Sequence, residues 1–119
     1  MIVNGQHLEH GIYGPSPPCN LDKFKEAICG KKFLDLGSGR GEIVEKALEL
    51  GADAYGVEIN AELFSESKAK DRIIFGNILD QEFSKYDILY YYIGGCKRET
   101  ELWRKITVEF KGNVILFAG

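Results

Sequence analysis

The chain has 119 residues, 45% of them hydrophobic and 28% charged, with a formal net charge of −3. That length supports one domain around a single core. The balance excludes a disordered tail and a nucleic-acid binder that works through bulk positive charge. Its longest apolar run, Ile88 to Ile93, is far short of the roughly 20 residues that span a bilayer. Met1 to Gly5 has no signal-peptide pattern, so no membrane association and a cytoplasmic location are expected.

Cys19, Cys29 and Cys96 form no C-x-x-C pair and read as reduced thiols. His7, His10 and Cys19 lack a fourth ligand at a metal-site spacing, so they read as loop residues and no metal is expected.

Residues 1–20 are a lead-in rich in glycine and proline, ending Gly14-Pro15-Ser16-Pro17-Pro18. Proline fixes φ and withholds a donor, which predicts a stiff, extended segment. Asn20 then caps a short helix that groups Leu21, Phe24, Ala27 and Ile28 on one face and stops at Gly30. From Lys31 onward, short apolar runs alternate with amphipathic stretches. Phe33–Leu36 is the first predicted strand, followed by a glycine loop and a helix over Glu42–Leu50 that faces Ile43, Val44, Ala47 and Leu48 inward. Ala54–Val57 is the second strand, and Asn60 caps a short helix carrying Leu63 and Phe64. Arg72–Phe75 is the third strand and Asp87–Tyr92 the fourth. Glu99–Lys111 is a helix with Leu102, Trp103, Ile106 and Phe110 inward, and Val114–Phe117 is the fifth strand.

This alternation predicts an α/β fold: one three-layer, Rossmann-like domain over residues 1–119, with a five-stranded parallel sheet in the order 3-2-1-4-5. The leanest connection, Gly76 to Lys85, has room for a single helical turn. It must cover a diagonal of about 22 Å, and fully extended it would reach about 33 Å.

The stretch Asp35-Leu36-Gly37-Ser38-Gly39-Arg40-Gly41 follows a strand and opens a helix. Its glycines let the backbone turn tightly and bring amides against a ligand, beside the positive end of the helix dipole. Glu42 stands where a dinucleotide-binding loop has its last small residue, so the loop suits a nucleoside ligand without phosphates. Glu58, at the end of the second strand, lies at the offset where an acid accepts hydrogen bonds from ribose hydroxyls.

Together, Asp35-x-Gly37-x-Gly39-x-Gly41 and Glu58 resemble the class I S-adenosylmethionine-dependent methyltransferases. The resemblance covers residues 13–119 and implies S-adenosylmethionine as cofactor. By position, Asp35, Gly37, Ser38, Gly39 and Gly41 match the loop that cradles the methionine portion, Glu58 the ribose ligand and Ile59 the residue packed on adenine. Many members carry an acid facing the adenine amino group after the third strand. Here Gly76-Asn77-Ile78 stands in, with Asn77 able to bond an adenine edge. Tyr13-Gly14-Pro15-Ser16-Pro17 and Asp87-x-x-x-x-Tyr92 resemble, more narrowly, small protein-lysine methyltransferases related to the ATP-synthase c-subunit lysine methyltransferase. In that family the segment matched by Tyr13 and Pro15 lies over the cofactor. The membrane-anchoring segment of that family has no counterpart here.

After the fourth strand the sequence reads Ile93-Gly94-Gly95-Cys96, not the N/D-P-P-Y that holds a planar amine. The absence of that element argues against adenine and glutamine as acceptors, and the resemblance implies a protein lysine or a small-molecule amine as the methyl acceptor, with nucleic acid not expected. Methyl transfer from a sulfonium depends on alignment and desolvation more than on acid–base groups. No catalytic triad is expected, and Tyr92 is the candidate substrate-lining residue. A cofactor-binding module without activity is the alternative, and a nicotinamide-dependent oxidoreductase, disfavoured by Glu42, is the second. The sixth and seventh strands usual in the class are missing, which leaves residues 114–117 as an apolar edge strand. A homodimer, the N-terminal segment, or tolerance of a short edge would each account for it, and the homodimer is the favoured expectation.

Overall fold

Apolar runs with side chains buried on both faces satisfy their backbone groups by pairing side by side between two covering layers. The computed structural model describes residues 2–3, 18–94 and 96–117. Its strands are β1 (Ile2–Val3), β2 (Lys32–Leu36), β3 (Asp53–Glu58), β4 (Ile73–Phe75), β5 (Ile88–Tyr92) and β6 (Asn113–Phe117). They form one parallel sheet in the order β4-β3-β2-β5-β6-β1. Without β1 this is the expected 3-2-1-4-5 arrangement, and each of its strands lies within a residue of its predicted bounds.

The difference is β1, which adds a sixth strand. It pairs Ile2 with Ile115 and Val3 with Leu116, so the outer edge of β6 is met by the chain's own N-terminal residues. A homodimer through 114–117 is not needed to cover that edge. A second copy would have to displace β1 or add beyond it.

The helices are α1 (Lys25–Ile28), α2 (Glu42–Glu49), α3 (Ala61–Ser65) and α4 (Glu99–Glu109). The first departs from expectation, because Pro18–Phe24 is a 3-10 helix and only Lys25–Ile28 is α. The spacing does not separate the two, because Leu21 and Phe24 stand three apart, an interval that puts side chains on one face of either helix type. Asn60 caps α3 as predicted, its side chain accepting from Leu63 N–H at 3.0 Å.

Strand alternation sends side chains to two cores. On one face Phe33, Ala54, Ile88 and Ile115 pack with Leu21, Ile28 and the inner side of α2. On the other, Leu34, Val57, Leu89 and Val114 pack with Leu102, Ile106 and Phe110. Among the described residues, no helix is long and apolar enough to cross a membrane.

The connection Gly76–Lys85 is built from two 3-10 turns, Ile78–Asp80 and Phe83–Lys85. Phe83 is 0% exposed. Its N–H donates to Glu109 Oε1 at 3.0 Å, and Lys105 Nζ stands 5.0 Å from its ring centroid. This aromatic anchor pins the crossing to α4. Phe83→Ala should lower the urea-unfolding free energy by about 3–5 kcal/mol, the usual cost of deleting a fully buried ring. A loss below about 1 kcal/mol would show that the crossing is held elsewhere.

Candidate functional site

The site begins where β2 stops. Leu36 still pairs with Val57, but Gly37 N–H and Ser38 N–H both donate to the Val57 carbonyl, at 3.0 and 2.8 Å, so the chain turns off the sheet. Gly41 N–H closes the turn on the Ser38 carbonyl at 2.8 Å. Gly39 (φ +55°) and Gly41 (φ +80°) hold left-handed conformations, which strain any residue with a Cβ. Their surroundings differ. A Cβ on Gly39 would stand in open space, whereas one on Gly41 would strike the Lys68 carbonyl. Gly41 therefore lets the segment after α3 close onto the loop, where Lys68 N–H bonds the Arg40 carbonyl at 2.8 Å and Ser67 Oγ donates to the Gly39 carbonyl at 3.1 Å. The Ser38 hydroxyl is buried toward the space left by Gly56, without a hydrogen-bond partner among the described residues. It points into the core.

Glu58 is not a solvated loop carboxylate. It is 7% exposed, with Oε1 accepting from Gly39 N–H at 2.6 Å and Oε2 from Asn60 N–H at 2.9 Å. One side chain thus ties the glycine loop to the end of β3. Each oxygen retains a further lone pair.

Asp35 lies one strand over, on the face of the sheet that α2 covers, and its register partners are Gly56 and Tyr90. It is 3% exposed, and among the described residues its carboxylate has no hydrogen-bond or ion-pair partner. Desolvation first, and the Glu58 charge second, raise its pKa well above the usual carboxylate range.

A cleft of about 530 Å³ opens at the carboxyl ends of the strands, within the range that holds small organic ligands. Gly37, Glu58, Ile59, Asn77 and Ile78 form one side of it, all predicted from the sequence. Ile59 is 65% exposed, which leaves an apolar surface open beside the carboxylate. Asn77 Oδ1 accepts from Leu79 N–H at 2.9 Å, so its amide nitrogen remains as a donor. The facing side is Cys96, Lys97 and Arg98, which sequence reasoning missed. Their signal was topological: they follow β5, beside the point where the strand order reverses, and ligands in open α/β sheets gather there.

Of the other predicted site residues, Asp35, Ser38, Gly41 and Tyr92 do not line this cleft, and Gly39 meets it through its bond to Glu58. Tyr92 is on the α2 face, with its ring 5.2 Å from that of Phe117, and Asp35 shares that face. Tyr13 and Pro15 lie outside the described residues.

The Asp35 environment has a stability consequence. A carboxyl whose folded pKa is raised stabilises the fold fully below its unfolded value, about 3.9, and loses that contribution as pH rises through the folded value. Asp35→Asn cannot ionise. Thermal midpoints measured from pH 4 to 8 should therefore fall for the wild type relative to this variant as pH increases. Parallel curves would contradict the assignment.

No protein-family model matches the chain, and no curated protein sequence does. Solved structures do. An RNA methyltransferase from Salinibacter ruber, solved with S-adenosyl-L-homocysteine, is 26% identical over 67% of this chain and 61% of its own, with a TM-score of 0.58. A protein of Methanococcus maripaludis, reported as an S-adenosyl-L-methionine-dependent methyltransferase, superposes with a TM-score of 0.70 at 15% identity, over 86% of this chain and 56% of its own. A dimethyladenosine transferase from Plasmodium falciparum gives 0.67 at 21% identity, over 87% and 42%. The chain thus spans between 42% and 61% of these proteins. Over that span it has the Rossmann-like fold of class I S-adenosylmethionine-dependent methyltransferases.

Proposed function

We propose that this chain is the cofactor-binding domain of an S-adenosylmethionine-dependent methyltransferase that acts on an amine, carried by a protein lysine or a small molecule. The observation that carries the reading is Glu58, a buried carboxylate that bridges Gly39 N–H and Asn60 N–H and lines the cleft. The residues present suit the cofactor. Glu58 keeps lone pairs for ribose hydroxyls, and Ile59 and Ile78 offer apolar surface to adenine. Asn77 offers a donor, which pairs with a ring nitrogen rather than with the adenine amino group. Gly37 and Gly39 leave open space where side chains would otherwise project. Bound there, S-adenosylmethionine supplies an electrophilic methyl group whose departure leaves a neutral thioether.

The chain's own work is then to bind, orient and exclude water. Among the described residues Asp35 has no cationic partner, and positive charge on a ligand at the α2 face of the loop would favour its ionised form. Tyr92 shares that face, and we assign it to the acceptor side. A lysine acceptor must reach the site neutral, losing its proton to water. The lysine reading rests on the resemblance of residues 13–17 and 87–92 to small protein-lysine methyltransferases. An RNA acceptor is the second reading, favoured by the 26% identity to the Salinibacter ruber RNA methyltransferase.

Titration calorimetry should detect S-adenosylmethionine and S-adenosylhomocysteine but not NAD. Absence of binding by both sulfur ligands at millimolar concentration would overturn the cofactor assignment. Glu58→Ala should weaken S-adenosylhomocysteine binding by about 1–3 kcal/mol, roughly 5- to 150-fold. An unchanged affinity would remove Glu58 from the ribose site. Incubation with methyl-labelled cofactor and separate pools of protein, RNA and small amines then assigns the acceptor, with label in the protein or amine pool expected. Label confined to RNA would replace the amine reading with the second one.

A further inference from the structure

The cleft has one wall that the strand ladder does not hold. Cys96, Lys97 and Arg98 face the cleft from beyond the end of β5, where the chain has left the sheet and a backbone needs other partners to keep one shape. Those partners are specific. Ile93 N–H donates to the Phe117 carbonyl at 2.9 Å, a last bond of the ladder. Gly94 N–H donates to Glu99 Oε2 at 2.9 Å, and Cys96 N–H donates to the Tyr91 hydroxyl at 3.1 Å. The hydroxyl in turn donates to the same Glu99 oxygen at 2.5 Å. Tyr91 is buried with its ring edge-on to Trp103 at 6.0 Å, and Glu99 is the first residue of α4. Burial, and then the bond to Glu99, raises the Tyr91 pKa, so the hydroxyl stays a proton donor at neutral pH.

A tyrosine from the sheet and a glutamate from α4 therefore clasp Gly94 and Cys96, and neither side chain lines the cleft. We propose that Tyr91 and Glu99 are positioning residues of the ligand cleft, holding the Cys96–Arg98 wall against the nucleoside surface formed by Ile59, Asn77 and Ile78. The proposal rests on the reading of this cleft as the nucleoside part of the S-adenosylmethionine site. A hydroxyl that both accepts and donates cannot be replaced by packing. Tyr91→Phe keeps the ring against Trp103 but leaves Cys96 N–H unpartnered and Glu99 with one donor fewer. Glu99→Gln keeps a side-chain oxygen that can accept from both Tyr91 and Gly94, whereas Glu99→Ala keeps none.

The test uses the full chain and two readouts: S-adenosylhomocysteine affinity by calorimetry, and the rate of Cys96 alkylation by N-ethylmaleimide, followed by peptide mass mapping. Cys29, exposed and remote in sequence from the clasp, is the internal control. Tyr91→Phe should bind S-adenosylhomocysteine 5- to 30-fold more weakly and alkylate Cys96 at least 5-fold faster, with the Cys29 rate unchanged. Glu99→Ala should reproduce both effects and Glu99→Gln should restore wild-type values. This rescue separates positioning from a general loss of stability. It also keeps the proposal falsifiable if Tyr91→Phe fails to fold. Wild-type affinity and wild-type Cys96 reactivity in Tyr91→Phe or Glu99→Ala would overturn it. If the wild type binds no S-adenosylhomocysteine, the cofactor reading falls, and the alkylation rates alone decide whether the clasp holds the wall.

Discussion

The Glu58 carboxylate is the interaction on which the candidate site depends. A carboxylate taken almost out of water needs donors, and isolated it would be far too costly to bury. Here the donors are the Gly39 and Asn60 amides, so neutralising the buried oxygens also fixes the loop that offers them. The arrangement is set up by the sheet. Parallel pairing carries β2 and β3 in register as far as Leu36 and Val57. The Val57 carbonyl then takes two amides, from Gly37 and Ser38, and ends the ladder in a turn. Asp35 presents the opposite case. It is as deeply buried but lacks donors among the described residues, so its carboxyl resists ionisation. One acid organises the loop, and the other is held beside it in a form that resists ionisation.

The two walls of the cleft draw their order from different sources. The wall of Gly37, Glu58 and Ile59 continues the strands, so its geometry follows from backbone pairing and from the left-handed turns that glycine permits. The facing wall, beyond β5, stands on a side-chain network of Tyr91 and Glu99. The first kind of support is as stable as the sheet, whereas the second is open to single substitutions on either residue.

Much of this was legible in the sequence because the signals are local. The glycine spacing, the acid at the end of the second strand, the Asn60 cap and the apolar runs each lie within one element or one turn. What escaped was set by distance along the chain. β1 is two residues long, too short for any periodicity, and it pairs with residues near the other end of the sequence. Phe83 sits in a stretch without repeat, so only the packing of α4 over it reveals a core residue. Ser38 matched a cofactor loop by position, yet its hydroxyl turned toward the gap left by Gly56, a relation across strands that no motif encodes. Cys96, Lys97 and Arg98 carry no pattern of their own, and only the reversal of strand order brings them to the cleft.

The central claim, that a nucleoside sulfonium binds across the ends of β2, β3 and β4, is tested most directly by amide chemical-shift mapping. The labelled chain would be titrated with S-adenosylmethionine. The account predicts saturable shifts concentrated at Gly37, Gly39, Glu58, Ile59, Asn77 and Ile78, with Cys96 to Arg98 following from the facing wall. Saturable shifts confined to other surfaces, or none at millimolar ligand, would contradict it.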